Sequence, residues 1–169
     1  MGVGTGRFVA MRFSGAFGLD PAPGALKFAM TRGIRCVCGA GESLPFRDGI
    51  FNAVLMVVTL CFVREPQAVF DEAARVLASG GSAVAGFIPR GSPWGELYEK
   101  KKREGSPFYS GARFLSLPDI ERSANAAGFR VASISSTLFQ APSGPARLEE
   151  PVSFYDEKAG FVSVRLEKG

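Results

Sequence analysis

The sequence predicts an α/β fold: a doubly wound, mostly parallel sheet with helices on both faces and an antiparallel C-terminal strand. Three observations carry that expectation. Strand-like and helix-like segments alternate with short connections from Ala16 to Ile88, the pattern of right-handed crossovers on a parallel sheet. Asn52 to Thr59 is the most apolar stretch and lacks alternation, as expected of a central strand covered on both faces. Met1-Gly2-Val3-Gly4-Thr5-Gly6-Arg7-Phe8 sets a glycine-rich turn ahead of an amphipathic run. Such a turn lets a ligand approach the backbone closely and holds nucleotide-like groups.

Composition narrows the function classes. The chain has 169 residues, 46% of them apolar and 21% charged, which suits one globular domain spanning 1–169. Net charge is +4, from 20 Lys and Arg against 16 Asp and Glu. Lys100-Lys101-Lys102-Arg103 is the only dense basic run and reads as the solvated face of a helix rather than a nucleic-acid patch. The chain contains no histidine, so Ser-His-Asp and Cys-His chemistry is excluded. Cys36 and Cys38 alternate with Val37 on one strand face, and Cys61 stands apart. Without histidine they read as free thiols rather than metal ligands. No apolar run approaches the ~20 residues of a membrane span, and no basic-then-apolar leader opens the chain. The expected location is the cytoplasm.

The elements follow in order. Phe8, Val9, Met11 and Phe13 suggest one short helix ended by Ser14-Gly15. Ala16 to Leu19 reads as a buried strand stopped by Asp20-Pro21. Pro23 to Arg32 has helical spacing with Gly33 after it, and Ile34 to Cys38 is a short strand. Leu44-Pro45-Phe46 is a turn with two apolar anchors. A helix opens near Pro66, carries Val69, Phe70, Ala73, Ala74 and Leu77, and closes at Gly80-Gly81. Ser82 to Ile88 is the next strand. Residues 89–117 read as an acceptor-side insertion or lid, with a helix from Trp94 to Glu104 and an irregular segment after it. Another helix starts at Leu117-Pro118-Asp119. Phe129 to Phe139 and Phe161 to Leu166 are strands joined by a loop at 140–160, so they should pair antiparallel.

Five motifs in this order resemble the S-adenosylmethionine-dependent methyltransferases of class I, specifically the type 11 methyltransferase domain. Gly2-Val3-Gly4-Thr5-Gly6 is similar to that family's G-x-G-x-G turn. Gly18-Leu19-Asp20-Pro21 is similar to the end of its second strand, Gly41-Glu42-Ser43-Leu44-Pro45-Phe46 to its adenine-side loop, and Phe51-Asn52-Ala53-Val54 to the entry of its fourth strand. Glu72 with Arg75-Val76-Leu77-Ala78-Ser79-Gly80-Gly81 is similar to the helix and turn before its fifth.

The resemblance implies a Rossmann-like fold and methyl transfer from S-adenosylmethionine, without a metal, to a small-molecule acceptor. It implies cofactor contacts at Gly2, Val3, Gly4, Gly6, Asp20, Gly41, Glu42, Val58 and Thr59, with Asp20 on the ribose diol. Leu44 and Phe46 could sandwich an adenine or serve the core. Tyr98, Phe108, Tyr109 and Arg113 are the acceptor-side candidates, and no acid–base pair is singled out. The departures lie upstream: Met1 stands where the family's first strand ends, Ala40 replaces a frequent acidic residue, and Asn52 a frequent Asp. The alternative is therefore a non-catalytic or N-terminally truncated relative that binds the cofactor weakly or not at all. A homodimer is one way to repair the missing strand. A dinucleotide oxidoreductase fits worse, because G-x-G-x-x-G would need glycine where Arg7 stands. Neither a membrane nor a nucleic acid is an expected partner.

Overall fold

The computed structural model describes residues 1–9, 15–145 and 147–169. The element order is β1 (Phe17–Asp20), α1 (Pro23–Thr31), β2 (Arg35–Cys38), β3 (Phe51–Val57), α2 (Pro66–Val76), β4 (Leu77–Phe87), α3 (Pro93–Arg103), α4 (Leu117–Ala126), β5 (Phe129–Thr137) and β6 (Phe161–Lys168). Each helix carries a proline in its first turn, where the missing N–H costs nothing. Ser92 caps α3, and Ser116 with Asp119 forms a reciprocal capping box on α4.

The strands form two groups. β1 pairs with β2 in parallel, and a four-stranded sheet has the order β3-β4-β6-β5. β3 runs parallel to β4, and β6 runs antiparallel to both β4 and β5. Three strands of the larger sheet therefore point one way and β6 opposes them, as the sequence predicts. Its core is apolar: Val69, Phe70, Ala73 and Val76 of α2 and Ile120 and Ala124 of α4 pack beneath Ala83, Ala85, Val162, Val164 and Leu166. Among the described residues no helix is long and apolar enough to cross a membrane.

Three expectations need correction. Phe8 and Val9, where a short helix is expected to begin, lie in turns, and before them Gly6 accepts from Val9 and donates to Val3 at φ +82. Met11 and Phe13 lie outside the described residues. The second helix ends at Val76 rather than at the glycine pair, because buried Leu77 already pairs with Phe51; Ala78 to Gly81 then bulge before the ladder resumes at Ser82. Finally, β3 is covered on both faces only in part. Val54 and Met56 are buried, but Asn52 and Ala53 are exposed. β3 is ladder-paired only with β4, and no described strand lies along its other edge.

Candidate functional site

The glycine turn sits where the two sheets meet. The Met1 nitrogen donates to the Leu55 carbonyl of β3 at 2.7 Å, and the Val3 N–H donates to Leu19 of β1 at 3.0 Å. Thr59, just past β3, donates its hydroxyl to the carbonyls of Met1 and Val57. Gly2, Gly4 and Gly6 have φ of +62, +51 and +82, which side chains rarely tolerate. A Cβ on Gly2 would lie 2.2 Å from Thr59 Oγ1, and one on Gly6 2.6 Å from Ile34 Cδ1, whereas one on Gly4 would meet nothing within 4 Å. The outer glycines are thus required by packing, and the middle one faces open space.

Asp20 locks this turn to the C-terminal end of β1. Its Oδ2 accepts from the Gly4 N–H at 2.8 Å and its Oδ1 from the Ala22 N–H at 2.9 Å. Each carboxylate oxygen keeps a lone pair free. The end of a parallel strand is where open α/β sheets bind ligands.

A second loop completes this rim. Glu42 accepts from the Arg64 N–H at 2.9 Å, and Gly41 is buried against Val69 and Met1. The loop is clamped by α2. Arg75 donates to the carbonyls of Phe46 and Leu44 and to the carboxylates of Asp48 and Glu72, while Glu72 accepts from the Leu44 N–H. The Arg75 hydrogen bond holds the Glu72 carboxyl below the ordinary carboxylate range. Leu44 is buried in the core, and Phe46 packs edge-on against Phe17 and Phe51 with ring centroids 5.9 and 5.0 Å away. Both side chains pack against the core and also line the cavity between the two sheets.

Above the ends of β3 and β4 lies an aromatic cluster. Cys61, Ala112 and Phe114 form its buried centre, with Val58, Ile88, Tyr98 and Tyr109 packed around them. The Tyr98 and Tyr109 rings are 4.8 Å apart. Burial pushes the Tyr98 phenol above its usual range, helped by Tyr109, and raises the Cys61 thiol to about 11, which leaves it protonated and unreactive. The basic run is absorbed locally: Lys102 donates to the Ala112 carbonyl, Lys101 lies over the Tyr98 ring, and Lys100 pairs with Glu104. Of the four acceptor-side candidates, Tyr98 and Tyr109 come together. Phe108 is 81% exposed. The Arg113 side chain is exposed while its N–H donates to Cys61.

Sequence reasoning missed one feature. Val58 has φ +50, a rare conformation for a β-branched residue, at the junction between β3 and the aromatic cluster. Its N–H still donates to Gly86 at 2.8 Å. No local sequence pattern signals this conformation. Among the described residues no group of three or more His, Cys, Asp and Glu could hold a metal ion.

Residues 1–85 match the family model described as a methyltransferase domain. A SAM-dependent methyltransferase of Thermotoga maritima, described as a possible histamine N-methyltransferase, superposes with a TM-score of 0.92 at 36% identity. That match covers 100% of this chain and 80% of the other. An uncharacterized protein of Methanocaldococcus jannaschii is 36% identical over 168 residues, 99% of this chain and 80% of its own length. An uncharacterized protein of Mycobacterium tuberculosis is 45% identical over 166 residues, and the chain spans 58% of the length of that relative.

Proposed function

Because this chain belongs to the S-adenosylmethionine-dependent methyltransferase family, we propose that it transfers a methyl group from S-adenosylmethionine to a small-molecule acceptor. The observation that carries this reading is the hydrogen bond from Gly4 to Asp20. It ties a turn with an open face to a carboxylate whose remaining lone pairs suit a ribose diol. The cradle above Gly4 is space that any side chain would fill, so the residues present fit the cofactor.

When bound, S-adenosylmethionine supplies a methyl group already activated by its sulfonium charge. The chain's own residues then hold, orient and dry the site. Gly2, Val3, Gly4 and Gly6 carry the amino-acid end and Asp20 the ribose. Gly41 and Glu42 flank the base, while Val58 and Thr59 border the methyl group. Tyr98 and Tyr109 exclude water, and an aromatic face near a sulfonium adds cation–π attraction. Phe108 and Arg113 stand at the outer rim for the acceptor. Residues 89–117 act as the lid of a single domain spanning 1–169. Three free cysteines among the described residues suit a reducing cytoplasm.

A second reading, a methyltransferase-like protein that binds the cofactor weakly or not at all, is favoured by the break in the sheet beside the glycine turn. Calorimetric titration with S-adenosylmethionine separates the two. The enzyme reading predicts saturable heat, and binding at least about tenfold weaker for Asp20→Ala, since a hydrogen bond to a charged group contributes about 1.5–3 kcal/mol. No heat at high ligand excess overturns it. Release of S-adenosylhomocysteine across a panel of small amines, thiols and phenols then identifies the acceptor. Histamine leads the amines, in view of the description of the Thermotoga maritima protein.

A further inference from the structure

The aromatic cluster above the ends of β3 and β4 meets charge of one sign. Residues 89–117 hold six Lys and Arg against three Glu. Within α3, Tyr98, Lys101 and Lys102 stand at i, i+3 and i+4 and so share one face. Lys101 Nζ lies 5.5 Å from the centre of the Tyr98 ring, and Lys102 donates to the Ala112 carbonyl. A ring and a carbonyl are neutral partners, so both ammonium charges stay uncompensated. Among the described residues no carboxylate lies within ion-pair distance of either lysine. Glu96 and Glu99 stand about 160° and 100° around the helix from Tyr98, and Glu104 pairs with Lys100. Arg113, exposed between buried Ala112 and Phe114, adds a further cation at the rim.

The cluster also offers no proton acceptor. The chain has no histidine. Burial raises the Cys61 thiol to about 11 and holds the Tyr98 phenol above its usual range, so neither is an anion at neutral pH. An ammonium has no lone pair until it loses a proton, and no group of the cluster takes one. A carboxylate arrives with its lone pairs free and with the charge that the lysines lack.

We propose that the acceptor is a planar aromatic acid, held as its carboxylate by Lys101 and Lys102 with its ring against Tyr109. This rests on the reading of residues 89–117 as the acceptor side. Tyr109 takes the ring because Tyr98 is already flanked by Tyr109, Phe114 and Lys101. Transfer then moves no proton. A carboxylate oxygen bonds to the methyl carbon, the carbon–sulfur bond breaks, and its electron pair stays on sulfur. The products are a neutral methyl ester and S-adenosylhomocysteine. Losing its charge frees the ester from the lysines, which favours release.

The test uses three probes with one ring and three charges: benzoate, benzamide and benzylamine. Each is titrated into the 15N-labelled chain without the methyl donor. Benzoate is expected to shift the amides of Lys101, Lys102 and Tyr109 and to bind at least about tenfold more tightly than benzamide, a gap that narrows as salt rises. Benzylamine is expected to leave those amides unmoved. Lys101→Glu should abolish the preference for benzoate, and Lys101→Met, which keeps an apolar stem over Tyr98, should reduce it. Benzylamine binding as tightly as benzoate, a preference unchanged in both variants, or no benzoate shifts up to the solubility limit overturns the proposal. Donor titration and turnover separate this from the enzyme reading. Heat from S-adenosylmethionine with methylation of benzylamine and not of benzoate overturns the inference and keeps the enzyme reading. Benzoate shifts without any such heat keep the anion site and overturn the enzyme reading.

Discussion

The two halves of the sheet solve the same problem differently. The β3-β4-β6-β5 half is one continuous four-stranded sheet over a core in which Phe70, Met56, Leu77 and Ile120 expose almost nothing. The β1-β2 half has two four-residue strands, one helix, and a cavity along its edge. Yet the smaller half carries Asp20, and the glycine turn spans the join between the halves. The buried core and the proposed cofactor site therefore lie in different parts of the chain. The proposed site is expected to open more readily than the parts that hold the fold.

The largest expected effect lies in the laddered half. Phe70→Ala removes a fully buried ring beside Phe129 and should cost about 4 kcal/mol in urea unfolding. Leu19→Ala in the smaller half should cost about 2 kcal/mol, because that side chain lines the cavity and has fewer neighbours to lose. Equal costs would break the contrast.

Next comes a pH effect at the join. Burial lowers the Met1 amine from 8.0 to about 6, opposed by attraction to Asp20. Between those values the unfolded chain binds the extra proton, so stability rises with pH from 6 to 8 and is lost as pH falls through that window. A shift of this size is worth at most about 3 kcal/mol. Thermal melts at pH 6 and pH 8 should show it, and acetylation of the N-terminus should remove it.

A smaller effect is expected at the loop clamp. Glu72→Gln weakens the tie to Arg75 and should cost about 1–2 kcal/mol. The wild-type carboxyl titrates below its usual 4.5. Its contribution is therefore full above that pH and lost as pH falls below it, and the Gln variant should lack that part of the acid slope. The smallest effect is Ser116→Ala, which removes the α4 cap far from the join. It should cost about 1 kcal/mol and leave cofactor affinity unchanged, as a ligand titration of the variant would show.

Much of this was legible in the sequence because local chemistry determined it. Pro23, Pro66 and Pro118 mark helix starts at which the structure agrees. The Phe129 and Phe161 strands pair antiparallel because a loop joins them. What escaped was set by contacts distant in sequence. Leu77 looks helical by spacing, but its place opposite Phe51 makes it the start of β4. Phe46 reads equally as a ligand anchor or a core residue, and only its contacts with Phe17 and Phe51, distant in sequence, show the packing it makes. Val58 carries no mark of its positive φ. Phe108 shares an aromatic segment with Tyr109 and still points outward, because only one of two neighbours on that turn faces the cluster.

Amide spectra of the 15N-labelled chain titrated with S-adenosylhomocysteine test the central claim most directly. If the turn and Asp20 form the cofactor site, shifts should concentrate at Gly2, Gly4, Gly6, Asp20, Glu42 and Thr59 and leave β6 unmoved. Shifts confined to Phe17, Ala53 and the cavity between the sheets, or none at saturation, would contradict it.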